Sequence, residues 1–191
     1  MNDEEIKRIV GIILSINENF SYTDAVGAIF YGNHSRCNTV WLFANFGRLI
    51  PEPYIYEAYK DVLSDVMPSD YYQFFKDDLL SKLHKVNHHD TINNPALIEH
   101  LDADGYLTIY HGHTKPTMRG SHSWSLSPET AHFFGNRNAL FYAAEEYYVV
   151  TGKCRLEDII AYITDRNEEE IVVLNKNVMD KHKEFYPRHT D

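Results

Sequence analysis

The chain has 191 residues, with 18 Lys and Arg against 28 Asp and Glu, giving a formal charge of −10. A chain this long buries roughly 70 % of the surface that its unfolded form exposes, so it needs neither a disulfide nor a metal to fold, and 43 % hydrophobic with 14 % aromatic residues argues against disorder. The acidic balance argues against a broad nucleic-acid surface, which requires clustered Lys and Arg; a local basic groove stays open.

In chain order, the opening MNDEEIKRIVGIIL begins with acids and has no long apolar run, so it reads as neither a signal peptide nor a membrane span. Ile6, Ile9, Val10, Ile13 and Leu14 recur at helical spacing, and a second short helix is expected from Thr23 to Gly32. Thr39 to Phe46 fits a helix or a strand. After Pro51, Ile55, Ala58, Tyr59, Val62 and Val66 predict an amphipathic helix, which Pro68-Ser69-Asp70 stops. The next helix carries Tyr72, Phe75, Leu79, Leu80 and Leu83 and is expected to end near Lys85, before a loop NHHDTINN and a short helix from Pro95. At Gly105 the texture changes. Tyr106 to Tyr110 predicts a strand ending at His111-Gly112, and Ser123 to Leu126 a short extended piece. Ser127-Pro128-Glu129 marks a capped helix whose apolar face would continue through Ala131, Phe133, Phe134 and Leu140. Glu146 to Arg155, Ile159 to Ile163 and Ile171 to Leu174 predict three more strands. Helices followed by strands predict an α+β fold, divided as a helical region over 1–101 and a core over 102–191.

Four features of the second half bear on chemistry. A strand delivers His111-Gly112 at its end, and a second carries Ser123 and Ser125 on one face, because alternate side chains point the same way. A helix with paired phenylalanines follows. Glu168 and Glu170 then share a face at the mouth of a core strand, with Glu169 on the other face as solvated surface.

These segments, in this order, resemble the mono-ADP-ribosyltransferase superfamily over about Tyr106 to Leu174. Tyr110-His111-Gly112 resembles its first motif, with His where many members carry Arg. GSHSWSLSPETAHFFGNR (Gly120 to Arg137) resembles the second. Arg166, Glu168, Glu170 and Ile171 resemble the third, an R-x-E-x-E-hydrophobic lead into a strand. The resemblance implies a split β-sheet core that uses NAD as substrate, cleaves its nicotinamide–ribose bond and transfers ADP-ribose to a macromolecule, in first place a protein. Glu170 would stabilise positive charge developing on the ribose, and Glu168 would orient or deprotonate the acceptor. His111 would hydrogen-bond a ribose hydroxyl, the Gly112 backbone would meet the nicotinamide amide, and Tyr110 would join this binding set. Ser123 would help hold the catalytic carboxylate, with Ser125 shaping the same wall. Phe134 or Phe133 would stack on the nicotinamide, the other lying in the core. Similar members include phage effectors and toxins acting on host components; the opening without a signal or span and the cysteine usage point to a cytoplasmic protein, the cytoplasm of a host being an alternative to that of the producing cell. Hydrolysis of NAD and catalytically silent binding are alternatives on the same scaffold.

His84, His88, His89 and Asp90 have partial metal-ligand spacing, but without HExxH and within a polar, Asn-rich stretch no metal is expected. Cys37 and Cys154 form no CxxC pair, which points to a reducing compartment. The tyrosines at 54, 56, 59, 71 and 72 are numerous enough that some rings should be exposed as a partner patch.

Overall fold

The computed structural model describes residues 4, 7, 8, 11, 43–65, 77–115, 122–164 and 169–189. The helix expected from Thr23, Cys37, Tyr71, Tyr72 and Glu168 lie outside the described residues; around Ile6 to Leu14 only 4, 7, 8 and 11 are described, all helical and exposed. The chain forms two compact units, 1–67 with 74–86 and 68–73 with 87–191. Among the described residues no helix is long and apolar enough to cross a membrane.

The first unit is helical as described. Residues 43–46, the described part of the ambiguous aromatic stretch, are helical, and a 3-10 turn follows at Gly47–Leu49. Helix α1 (Glu52–Asp65) buries Ile55, Ala58, Tyr59 and Val62, a stripe at spacings of three and four. The rings of Phe43 and Tyr59 lie 5.9 Å apart. Lys82 of helix α2 (Asp77–Ile92) donates to the carbonyls of Arg48 and Ile50 at 2.9 and 2.7 Å, satisfying the end of the 3-10 turn, and burial lowers its pKa. Tyr54 and Tyr56 are partly buried rather than exposed.

Helix α2 does not stop at Lys85; it runs through the expected loop to Ile92. Its buried stripe continues from Leu80 and Leu83 into Asn87 and Thr91. The Asn87 amide donates to Thr91 Oγ1 at 2.9 Å and to the Ile160 carbonyl at 3.3 Å, so two polar residues occupy core positions without orphaned groups. The histidines at 84, 88 and 89 therefore lie on a helix. Among the described residues no group of three or more His, Cys, Asp or Glu could hold a metal ion.

The second unit is built on one antiparallel sheet. Helix α3 (Pro95–Glu99), capped by Asn94, precedes strands β1 (Leu107–His113) and β2 (Ser123–Ser125) and helix α4 (Pro128–Phe141). Strands β3 (Glu146–Cys154), β4 (Ile159–Ile163), β5 (Glu170–Val173) and β6 (Met179–Pro187) complete it. The spatial order is β4-β5-β2-β1-β3-β6. Strand β1 is launched by a turn in which Asp102 Oδ1 accepts the N–H groups of Asp104 and Tyr106, with Gly105 at φ 80°. Lys153 fastens that turn to β3, its ammonium 2.6 Å from Asp102 Oδ2. Strand β6 was not foreseen. Its side chains are mostly exposed along its whole length, so the alternation that betrays a half-buried strand is missing. Cys154 is buried, which pushes its thiol up to about 12.

The sheet has two distinct faces. On one, Leu107, Ile109, Trp124, Ile159, Ile171 and Val173 form the larger core with Leu97 of α3. On the other, α4 packs on Tyr147 and Val149 through Ala131 and Ala139. The residues of α4 turned to the sheet are Ala131, Gly135, Asn138 and Ala139, not the large apolar ones: Phe133 and Leu140 are 61 and 45 % exposed. The reason is closeness. A Cβ on Gly112 would stand 1.6 Å from the Ala131 carbonyl oxygen, and one on Gly135 2.4 Å from the Tyr147 ring, so only small residues fit between helix and sheet. Because the clash at position 112 is with backbone, Gly112→Ala is expected to destabilise the protein by about 3 kcal/mol or more, measured by urea denaturation. Wild-type stability in that variant would mean that α4 packs elsewhere.

Candidate active site

Register decides which of the expected residues meet. Tyr110 on β1 stands opposite Ser125 on β2, and Ser125 stands opposite Glu170 on β5. The three form one row across the centre of the sheet, and directly opposed residues share a face. Segments separated by some 60 positions of sequence are thus brought side by side. Gly112 and Ser123 lie two residues along on that face, Ser123 opposite Val172. Ser125, rather than Ser123, is the serine directly across from the Glu170 position.

Each member is fixed by its element. Glu170 is the first residue of β5, one position earlier than the apolar run predicts, and the buried Ile171, Val172 and Val173 anchor the strand behind it. Glu170 itself and Tyr110 are partly buried. Ser125 Oγ accepts the Ser127 N–H at 3.0 Å, and Ser127 Oγ accepts the Thr130 N–H at 3.1 Å, so the two serines link the row to the capped start of α4. Pro128 occupies the first turn of the helix as expected.

Helix α4 supplies the wall. One of its flanks, with His132 and Asn136, is engaged with the β3 end of the sheet and the C-terminal segment: His132 Nδ1 lies 3.1 Å from the Tyr147 hydroxyl, and the Asn136 amide donates to the His189 carbonyl at 3.2 Å. Helical spacing puts Thr130 and Phe134 on the opposite flank, towards β2. Phe134 is partly buried and Phe133 is 61 % exposed, with their rings edge-to-face at 5.3 Å, so neither belongs to the buried core.

His111 is not brought to this row. By alternation it points to the other face, where its ring stacks on His113 at 5.2 Å and tilts against Trp124 at 5.5 Å. His113 in turn meets Tyr148, over whose ring Lys183 sits at 3.7 Å. Burial pushes the His111 imidazole down to about 3, with His113 adding to the effect. Burial likewise pushes His113 down to about 4. Gly112 is on the face of the row, but the space beside its Cα is filled by Ala131 of α4, so the fold itself demands glycine there.

One feature had no signal in the sequence. Glu169 is partly buried and has φ 45°, in the left-handed region, where Gly or Asn would be the usual cue. Its carbonyl accepts the Leu126 N–H at 3.3 Å. Glu169 is therefore not extended, whereas the sequence pattern places it as the middle residue of an alternating, solvated triplet.

Comparison with protein-family models, with curated proteins and with solved structures finds no match.

The two neutral histidines make stability pH-dependent. The unfolded chain protonates both below about pH 6.5, whereas the folded protein protonates His113 and His111 only at about 4 and about 3. Stability is therefore full above the unfolded value and falls as the pH drops through it, by about 2 kcal/mol per histidine at about pH 5. Urea denaturation at about pH 7.5 and about pH 5 should show that loss, and His111→Gln should remove roughly half of it. An unchanged pH dependence in the variant would contradict a neutral His111 in the folded protein.

Proposed function

We propose that the protein is a mono-ADP-ribosyltransferase that takes NAD as substrate and modifies a macromolecule, in first place a protein. The observation that carries the reading is the row Tyr110–Ser125–Glu170: three residues of three separate motifs, on one face of three neighbouring strands, with the carboxylate at the start of β5. Phe134 on the adjoining flank of α4 fits a stacking partner for the nicotinamide.

In this reading the bond between ribose C1′ and the nicotinamide nitrogen breaks, and its electron pair leaves with nicotinamide, which becomes neutral. The ribose passes through an oxocarbenium-like state, and the fixed carboxylate of Glu170 stabilises the positive charge as it develops. A strand packed behind Glu170 limits its reorganisation, which is what electrostatic stabilisation of a short-lived charge requires. The acceptor nucleophile then attacks C1′ and gives up its proton to a base, the role that the resemblance assigns to Glu168. Ser125 and Tyr110 line the floor beside Glu170. His111, turned to the other face, has no part in this scheme; its ring packs against His113 and Trp124.

Wild-type protein incubated with NAD should release nicotinamide, and Glu170→Gln should lower that rate by at least about 100-fold while leaving the melting temperature close to that of the wild type. Biotinylated NAD incubated with a cell lysate should label macromolecules, with adducts located by mass spectrometry. Nicotinamide release without any label would make the protein an NAD glycohydrolase instead. A cellular effect that survives Glu170→Gln would make it a binding module.

A further inference from the structure

Among the described residues three non-glycine positions have positive φ: Ala143 just after α4, Asp180 in β6 and Glu169. Only Glu169 adjoins the row. Nothing about a glutamate favours this conformation, since a side chain at positive φ crowds its own backbone. A hydrogen bond ties it to the neighbouring strand: on the β2 side, its carbonyl accepts the N–H of Leu126, the residue after Ser125. The left-handed step therefore comes one residue before the carboxylate and is tied to the segment that follows Ser125. It sets the direction in which the chain enters the strand, and with it the direction of the Cα–Cβ bond of Glu170.

We propose that Glu169 is a positioning residue for Glu170: its left-handed backbone, tied to Leu126, aims the Glu170 carboxylate, and its own carboxylate takes no part in the reaction. This role rests on the transferase reading. It makes a prediction by backbone preference that is opposite to one by charge. Glycine and asparagine adopt the left-handed region readily, whereas a β-branched residue does not.

The test is a variant series at position 169, read as nicotinamide release from NAD and as thermal melting. Glu169→Gly and Glu169→Asn should keep kcat within about threefold of wild type, because left-handed geometry is retained. Glu169→Val should lower kcat by about 100-fold, the order expected for a catalytic group displaced by about an ångström, with KM for NAD changed far less. Glu169→Ala should fall between, which keeps the ranking readable if the valine variant does not fold. Melting temperatures should follow the same order, with glycine and asparagine at or above wild type. Equal loss of kcat in glycine, asparagine and valine variants would overturn the proposal in favour of a chemical role for the carboxylate. Wild-type kcat in all of them would overturn it in favour of no role. A wild type that releases no nicotinamide would remove the transferase reading and this role together, whereas an active wild type with a flat series removes this role alone.

Discussion

The carbonyl of Ala131 occupies the place where a side chain at position 112 would stand, and the geometry of the second unit follows from that close approach. Helix α4 can lie on β1 and β3 only because Gly112 and Gly135 leave it room and Ala131 and Ala139 meet the sheet with single methyl groups. A helix seated so low cannot slide or roll without meeting backbone, since close-packed interiors do not deform continuously. Its start is fixed as well, because Ser127 caps it and bonds back to Ser125. The flank of the helix and the row on β1, β2 and β5 are thereby held in one relation.

The sheet divides its labour between faces. The face carrying Leu107, Ile109, Trp124 and Ile171 is the main apolar core, and the stacked rings of His111 and His113 lie on the same face, His113 buried and His111 partly buried. The face under α4 carries the polar row. Placing a carboxylate at the first position of a strand reconciles two demands. Glu170 keeps contact with solvent, which a charged group requires. The three residues after it are buried, which gives it a rigid base. Within the acidic triplet, Glu169 therefore makes a backbone turn and Glu170 is a strand residue.

Much of this was legible in the chain. The helix after Pro51, the cap at Ser127, strand β4 and the order of the C-terminal elements follow from periodicity and capping chemistry. What was hidden has identifiable causes. The continuation of α2 past Lys85 was masked because Asn87 and Thr91 occupy core positions by bonding to each other and to Ile160, and polarity alone reads as loop. The facing of α4 was misread because hydrophobicity pointed to Phe133 and Leu140, while proximity to the sheet selected for size. Strand β6 has no buried face, so its sequence lacks the alternation by which a strand is recognised. At the site, the four segments were visible, but the pairing of Ser125 with Glu170 and the turning away of His111 depend on register, and no local pattern contains register.

Strand β6 has a consequence of its own. It is the last strand in the sheet order, nine residues long and largely exposed, the kind of edge that recruits other chains into intermolecular sheets. Its composition opposes that. Asp180 at φ 51° kinks the strand near its start, Lys181 and Lys183 place charge along it, and Pro187 at its end lacks the N–H that a further strand would bond. The polarity that hides β6 from the sequence pattern thus suits a strand that ends the sheet among the described residues, and replacing those lysines with apolar residues is expected to trade colloidal solubility for a more conventional-looking strand.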